Sequence, residues 1–139
     1  MKQLKKLTFE EQLKVLEDKI KNTYEQGVTL EEAERLAAEF LHAQLVVSTE
    51  LAKKDLDARM KKSGNKAIRA AVYLSIVEGS EKKPTESHIS ATIETNEQVS
   101  SQQDLTDTAE AEVAELERVY NVFGNAHIFY RNVARGKFE

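Results

Sequence analysis

The chain of 139 residues has no cysteine and no tryptophan, one proline and five glycines. Without cysteine there are no disulfides, no thiolate metal sites and no cysteine nucleophile. Proline and glycine are the residues that weaken helices most, so their scarcity predicts an all-α fold. Aromatic residues are 6% of the chain, so we expect an aliphatic, alanine-rich core. The length predicts a single domain over residues 1–139.

Long apolar runs are also missing. The longest covers residues 70–74, far short of the roughly 20 residues that cross a bilayer. The first residues, MKQLKKLTFEEQLKVLEDKIK, mix charge with leucine and lack the unbroken apolar stretch of a signal peptide. We therefore expect a cytoplasmic protein without a membrane partner.

The start signals of two helices stand near the beginning of the chain. Thr8 with Glu11, and Thr29 with Glu32, match the capping box, in which the two side chains bind otherwise unpaired backbone N–H groups. Apolar residues then recur at helical spacing, which predicts a first helix over about 9–25 and a second that runs from Thr29 to a break at Ser63-Gly64.

Three further helices are predicted beyond that break. The first covers about 65–78, and the loop over 79–84 then divides the chain into helical halves of about 1–78 and 85–139. A short helix opens at Thr85 and reaches a boundary at Asn96. The last helix covers about 100–135. No segment has the alternation of a strand.

The last helix carries two apolar stripes. One is a coiled-coil-like heptad seam, and the other lies about 110° round the helix. The two stripes fit either a single broad buried face in a monomeric bundle or a bundle face plus an interface in a homo-oligomer. The candidate oligomer interface consists of Leu116, Val119, Tyr120, Val122, Phe123, Phe129, Tyr130 and Val133.

Charge is segregated along the chain, although the formal net charge is only −4. That net charge excludes a uniformly basic coat but allows a local basic patch. Seven cations stand against two acids between residues 53 and 69, and they form the candidate nucleic-acid site: Lys53, Lys54, Arg59, Lys61, Lys62, Lys66 and Arg69. They fit either a solvated helix end or a phosphate-binding patch in which the Ser63-Gly64-Asn65 break presents backbone N–H groups.

Two other charged segments bear on the same question. Six acids and no base lie between Asp104 and Glu117. They fit a solvated helix face, the wall of a groove that confines a strand, a partner for the basic segment of a neighbouring subunit, or a docking face for a basic partner protein. The C-terminal end combines Arg131, Arg135 and Lys137 with Phe129, Tyr130 and Phe138, and exposed rings beside cations suit single-stranded nucleic acid.

Catalytic patterns are not found. His42, His88 and His127 are separated by 46 and 39 residues and have no second ligand at metal-binding spacing, so we expect no metal and no cofactor. There is no nucleophile elbow, phosphate loop or HExxH motif. We expect no enzyme and no small-molecule substrate. His127 on the apolar seam fits a packed, hydrogen-bonded histidine or a pH-sensitive group.

The order of these features resembles the small phage recombination mediators of the UvsY type, over about residues 40–135. The resemblance consists of a long helix ending in a basic patch at 50–62, a glycine-containing break, KPTESHISATI at 83–93, NEQV at 96–99, and a last helix ending in ARGKFE. Asp57 stands where the family has the lysine of its K-x-R element, so only Arg59 matches that element.

The resemblance implies a helical homo-oligomer that binds single-stranded DNA in a phage-infected host cell and serves DNA recombination and repair. Its implied partners are a recombinase and a single-strand binding protein. An alternative is a non-enzymatic protein–protein interaction protein, such as a virion structural, chaperone or inhibitor subunit. The clustered cations favour the first function, and the net charge of −4 and the acidic segment favour the second.

Overall fold

The computed structural model describes residues 7–82 and 84–136. Over these residues the protein has four α-helices and no strand: α1 (Phe9–Gln26), α2 (Leu30–Glu78), α3 (Glu86–Thr95) and α4 (Glu97–Ala134). The predicted all-α fold class is confirmed.

The helix ends form where the capping residues predict them. The Thr8 hydroxyl accepts a hydrogen bond from the Glu11 N–H at 3.2 Å, and Gly27 ends α1 with a φ of +78°, which glycine adopts without strain. Thr29 and Glu32 form a reciprocal capping box, with distances of 3.2 and 3.5 Å. Local sequence therefore sets these boundaries through side chains that satisfy the first backbone N–H groups.

The predicted break at Ser63-Gly64 is wrong, because α2 is one continuous helix of 49 residues. A glycine inside a helix costs only about 1 kcal/mol relative to alanine, and tertiary contacts can offset that cost. Gln102 of α4 supplies such a contact. Its side-chain amide donates to the Lys61 carbonyl at 3.0 Å and lies 3.4 Å from where a Cβ on Gly64 would be.

Helix α4 begins at Glu97, three residues before the predicted start at 100. The Asn96 side chain accounts for the earlier start, because its Oδ1 accepts hydrogen bonds from the N–H groups of Gln98 and Val99, at 2.9 and 3.1 Å. Asn96 is also the C-cap of α3. The polar stretch that follows it is therefore a capped first turn rather than a loop.

The chain folds as two compact units, one of Met1–Val46 with Tyr120–Glu139 and one of Val47–Val119. We call them the terminal unit and the central unit. Both long helices contribute to each, whereas the predicted halves divide the chain at the 79–84 loop. The single-domain organisation stays a prediction.

The terminal unit has a cluster of three aromatic rings in a core whose other buried apolar residues are alanine, leucine and valine. The ring of Phe40 packs edge-on against Phe123 at 5.4 Å between centroids and stacks on Tyr130 at 5.5 Å. The Tyr130 hydroxyl lies 2.6 Å from that of Thr23 on α1. His127 Nδ1 lies 2.7 Å from the Ala37 carbonyl oxygen, which only accepts, so Nδ1 carries the proton. His127 is thus a packed, hydrogen-bonded histidine.

The central unit has a core of small and aliphatic residues with a polar layer. Its buried apolar side chains are Val47, Ala58, Val99, Ala109, Leu116 and Val119, and its buried polar ones are Asn65 and Thr106. The Asn65 amide donates to Gln103 Oε1 at 2.6 Å, and the Thr106 hydroxyl donates to the Gln102 carbonyl at 2.9 Å. Gln103 of α4 thus pairs the Asn65 amide nitrogen, whereas Asn65 Oδ1 has no hydrogen-bond partner among the described residues.

Candidate nucleic-acid interface

The seven cations of the candidate site all lie on α2 within the central unit. Because α2 is unbroken, their positions round the helix follow from 100° per residue. Four of the cations follow one another at spacings of three, four and three residues, so they form one line along the helix surface. Tyr73, four residues after the last of them, continues this line. We call Arg59, Lys62, Lys66, Arg69 and Tyr73 the basic ridge. Its arginines and lysines span about 15 Å.

The ridge faces solvent along most of its length. Arg59, Lys62 and Lys66 are exposed, Arg69 keeps 33% of its side-chain exposure, and Tyr73 is 46% exposed. The ridge therefore combines cations with one partly exposed aromatic side chain, and these are the residue types that bind phosphates and unstacked bases. A helix that is broken at Gly64 would not align these residues, because a break changes their positions round the helix.

Five of the seven cations are already in ion pairs. Three pairs form within α2: Lys53 with Glu50 at 3.3 Å, Arg59 with Asp55 at 3.0 Å and Lys61 with Asp57 at 3.0 Å. The other two reach other helices: Lys54 pairs with Glu112 of α4 at 3.1 Å, and Arg69 pairs with Glu94 of α3 at 2.6 Å. Lys62 and Lys66 form no ion pair with any residue that the structure describes. These two ridge lysines carry uncompensated positive charge.

Two of these pairs shift pKa values. The hydrogen bond from Arg69 lowers the pKa of the Glu94 carboxyl, and the Arg69 charge acts in the same direction. The hydrogen bond to Glu112 raises the pKa of the Lys54 ammonium, and the Glu112 charge adds to it. Glu94 therefore loses its charge at a lower pH than an unpaired glutamate does, and Lys54 loses its charge at a higher pH than an unpaired lysine does.

The Ser63-Gly64-Asn65 segment does not present a phosphate-binding loop. All three residues are helical, so their N–H groups point along the helix rather than outward, and Asn65 is buried. The prediction of backbone N–H groups approaching phosphate at this segment is wrong. Only side chains of α2 are available to bind phosphate there.

The predicted basic aromatic tail needs a second correction. Tyr130 is only 1% exposed and belongs to the core, whereas Phe129 is 51% exposed. Lys137 and Phe138 lie outside the described residues. The only exposed ring that the described part of this tail offers beside Arg131 and Arg135 is therefore Phe129.

The acidic segment lies on the exposed side of α4 in the central unit. All six carboxylates, Asp104, Asp107, Glu110, Glu112, Glu115 and Glu117, are on exposed residues. Glu112 pairs with Lys54, and Glu115 pairs with Arg118 at 2.6 Å, which lowers the Glu115 pKa. The acidic segment therefore pairs with Lys54, and the contact of α4 with the ridge is the uncharged Gln103 Oε1, which accepts from Arg69 Nη2 at 3.4 Å.

The candidate interface residues on α4 divide into two groups. Leu116, Val119, Phe123, Tyr130 and Val133 are buried within the chain. Tyr120 and Val122 are partly exposed, and Phe129 is exposed. In this conformation the first five pack against their own chain, which is the broad buried face of the bundle alternative, and only the last three can contact another molecule.

Within the described ranges, no three acidic or histidine side chains converge as metal ligands. Among those same residues, no helix is long and apolar enough to cross a membrane.

Comparison with known proteins finds no family model that matches the chain, and no curated protein or solved structure that does.

Proposed function

We propose that the protein binds single-stranded DNA through the basic ridge of α2. The observation that carries the proposal is the alignment of four cations and Tyr73 on one exposed line, with Lys62 and Lys66 free of carboxylate partners among the described residues. Cations neutralise phosphates and release condensed counterions, while a ring stacks on any base. Such a ridge binds a strand with little sequence preference.

The ion pairs of the ridge do not prevent this. Exposed pairs of this kind contribute about 0–1 kcal/mol each, because water and salt screen them. A phosphate can therefore replace Asp55 on Arg59, or Glu94 on Arg69, at small cost. Lys62 and Lys66 need no such exchange, so they are expected to dominate the affinity.

The biological process follows from the resemblance to the UvsY-type mediators. A strand-binding helical protein of this kind would assist recombinase loading onto strands coated by a single-strand binding protein. The recombinase and that binding protein are proposed partners on this basis.

The test is binding of fluorescently labelled oligo-dT, followed by anisotropy over a range of salt concentrations. Four phosphate contacts give a slope of log affinity against log salt of about −3, since each contact to a single strand contributes about −0.7. The variant Lys62→Ala/Lys66→Ala should reduce the steepness by about 1.4. The matched control Lys14→Ala/Lys21→Ala removes two exposed lysines of α1 and should leave affinity and slope unchanged.

A second candidate is an interaction protein that binds no nucleic acid. It is favoured by the five ion pairs, which leave the segment from Lys53 to Arg69 largely compensated within the chain. Absence of oligo-dT binding at low salt would remove the first function and leave this one. Equal losses in the ridge variant and the control would also contradict a ridge-specific site.

A further inference from the structure

A second apolar face runs along α2 on the side away from the core of the central unit. It consists of seven apolar residues and one serine at spacings of three and four residues: Ala52, Leu56, Met60, Ser63, Ala67, Ala70, Leu74 and Val77. We call it the outer stripe. All eight residues are exposed, and Leu56, Met60 and Leu74 are 61, 66 and 54% exposed.

The stripe lies opposite the buried face of the same helix. Ala58, which is buried, follows Leu56 by two residues and so stands about 200° round the helix. Helix α2 is thus apolar on two opposite sides. A continuous apolar face on a charged protein marks an interaction surface more often than a solvated one.

We propose that a second copy of this chain docks on the outer stripe, with the two α2 helices antiparallel and a two-fold axis passing near Ser63. In that arrangement residue 52 faces residue 74 of the partner copy, and residue 56 faces residue 70. Leu74 therefore meets an alanine, and Leu56 meets another. Large side chains against small ones let two helix surfaces interdigitate without voids.

A parallel pair in register fits the stripe less well. It places Leu56 against its own copy and Ala70 against its own copy. Two leucines hold the helices apart where they meet, and two alanines then leave a void. The order of large and small residues along the stripe therefore favours the antiparallel pair.

The size of the face predicts a weak dimer. The stripe is about 38 Å long and a helix with its side chains is about 12 Å wide. A pair of copies would therefore bury on the order of 900 Å² in projection, which is below the range of about 1,200–2,000 Å² for stable specific interfaces and in the range of transient ones. Such a dimer forms and dissociates readily, and its population is sensitive to neighbouring charge.

The basic ridge supplies that charge. The basic ridge lies to one side of the outer stripe on α2. The two-fold axis that relates antiparallel helices places this side of both copies on the same face of the pair, so the two ridges lie next to each other. Lys62 and Lys66 of each copy then repel those of the other over distances comparable with the Debye length of about 8 Å at physiological salt. A bound strand neutralises both ridges, so strand binding and docking strengthen each other by reciprocal linkage. This coupling rests on the proposed function, whereas the docking does not.

The absence of cysteine makes a direct geometric test possible. Ala52→Cys and Leu74→Cys are made as separate full-length chains, mixed, and oxidised mildly. In the antiparallel pair the thiol introduced at position 52 of one chain faces the thiol introduced at position 74 of the other. The two thiols of a pair of Ala52→Cys chains stand about 33 Å apart, well beyond the roughly 7 Å that a disulfide tolerates between Cα atoms. We expect a crosslinked dimer on a non-reducing gel from the mixture and from neither chain alone.

A second measurement requires no crosslink. Leu56→Gln/Met60→Gln should weaken self-association by at least about tenfold in sedimentation or light scattering, because two central apolar contacts are lost. The control Leu105→Gln replaces a leucine that is 51% exposed on α4 and should change nothing.

The outcomes separate the docking from the strand binding. A crosslink between two Ala52→Cys chains overturns the docking. The absence of a crosslink in the mixture, together with unaltered self-association of the Leu56→Gln/Met60→Gln variant, also overturns it. Either result leaves oligo-dT binding intact. A crosslink in the mixture without oligo-dT binding supports the docking and removes the proposed function. A crosslink whose yield rises with oligo-dT supports both and their coupling.

Discussion

The two units use the same pair of long helices for different kinds of packing. In the terminal unit, Phe40, Phe123 and Tyr130 bury large rings, with exposures of 0, 0 and 1%. In the central unit, the contacts between α2 and α4 include small side chains, Gly64 and the buried amide of Asn65. The central unit also exposes the basic ridge and the outer stripe.

The large buried rings and the exposed binding groups therefore lie in different units: the rings in the terminal unit, and the ridge and the stripe in the central unit. Large buried aromatic rings contribute most of the free energy that a small core can supply. A core of small residues with a polar layer contributes less but defines how the helices are aligned, because its hydrogen bonds form in one register only. The terminal unit therefore secures the fold, and the central unit holds the helix that carries the ridge.

The largest loss of stability is expected when a buried ring is removed from the terminal unit. Phe123→Ala should lower the free energy of unfolding by about 3–5 kcal/mol, because it removes a fully buried side chain and leaves a cavity. Denaturant unfolding followed by circular dichroism measures it. The control Phe129→Ala, at a position that is 51% exposed, should cost far less. Similar losses in both variants would show that the aromatic cluster is not where stability concentrates.

A smaller effect concerns the glycine inside the central unit. Gly64→Ala should raise the free energy of unfolding by about 0.5–1 kcal/mol, since alanine favours the helical backbone and loses less entropy on folding. Gln102 Nε2, at 3.4 Å from the added Cβ, is close to ordinary contact and flexible. Thermal unfolding of the variant measures the gain. A clear loss of stability would mean that α2 needs a break at this position.

The smallest effect is expected from one variant of the polar layer, Asn65→Leu. Asn65 Oδ1 is buried and has no hydrogen-bond partner among the described residues, while its amide nitrogen donates to Gln103. Asn65→Leu removes both an unpaired acceptor and one hydrogen bond, so the free energy of unfolding should change by less than about 1 kcal/mol.

The matched variant for the polar layer is Gln103→Leu. It keeps Asn65 but removes the acceptor of its amide, together with the hydrogen bonds of Gln103 to Arg69 and Asp107, so it should cost about 1–3 kcal/mol. Denaturant unfolding compares the two. An equal or larger cost for Asn65→Leu would show that the Asn65 side chain, and not its pairing, determines the packing of this layer.

Helix boundaries were predictable wherever a local side chain decides them. A capping residue acts within one turn of the helix that it starts or ends, so the sequence alone indicates the boundary. This holds for Thr8, Thr29, Thr85 and Gly27. Gly64 was not predictable in the same way. Its helical conformation is supported by Gln102 of α4, which is distant along the chain, and no local pattern contains that contact.

The candidate site shows the same division. Clustered cations between Lys53 and Arg69 were evident from the sequence, but their division into paired and unpaired groups was not. The partners of Lys54 and Arg69, which are Glu112 and Glu94, come from other helices. The basic ridge depends on the unbroken helix as well, because a break at Gly64 would rotate Lys66 and Arg69 away from Arg59 and Lys62.

Composition and local spacing predict an all-helical protein, most of its helix ends and the segregation of its charge. These properties arise from interactions between residues that are close together in the chain, so the order of the residues is enough to predict them. Tertiary structure alone decided that α2 continues through Gly64, that Tyr130 is buried, and that Lys62 and Lys66 remain without carboxylate partners among the described residues. Each of these depends on side chains brought together from distant helices, where packing and hydrogen bonding outweigh local preference.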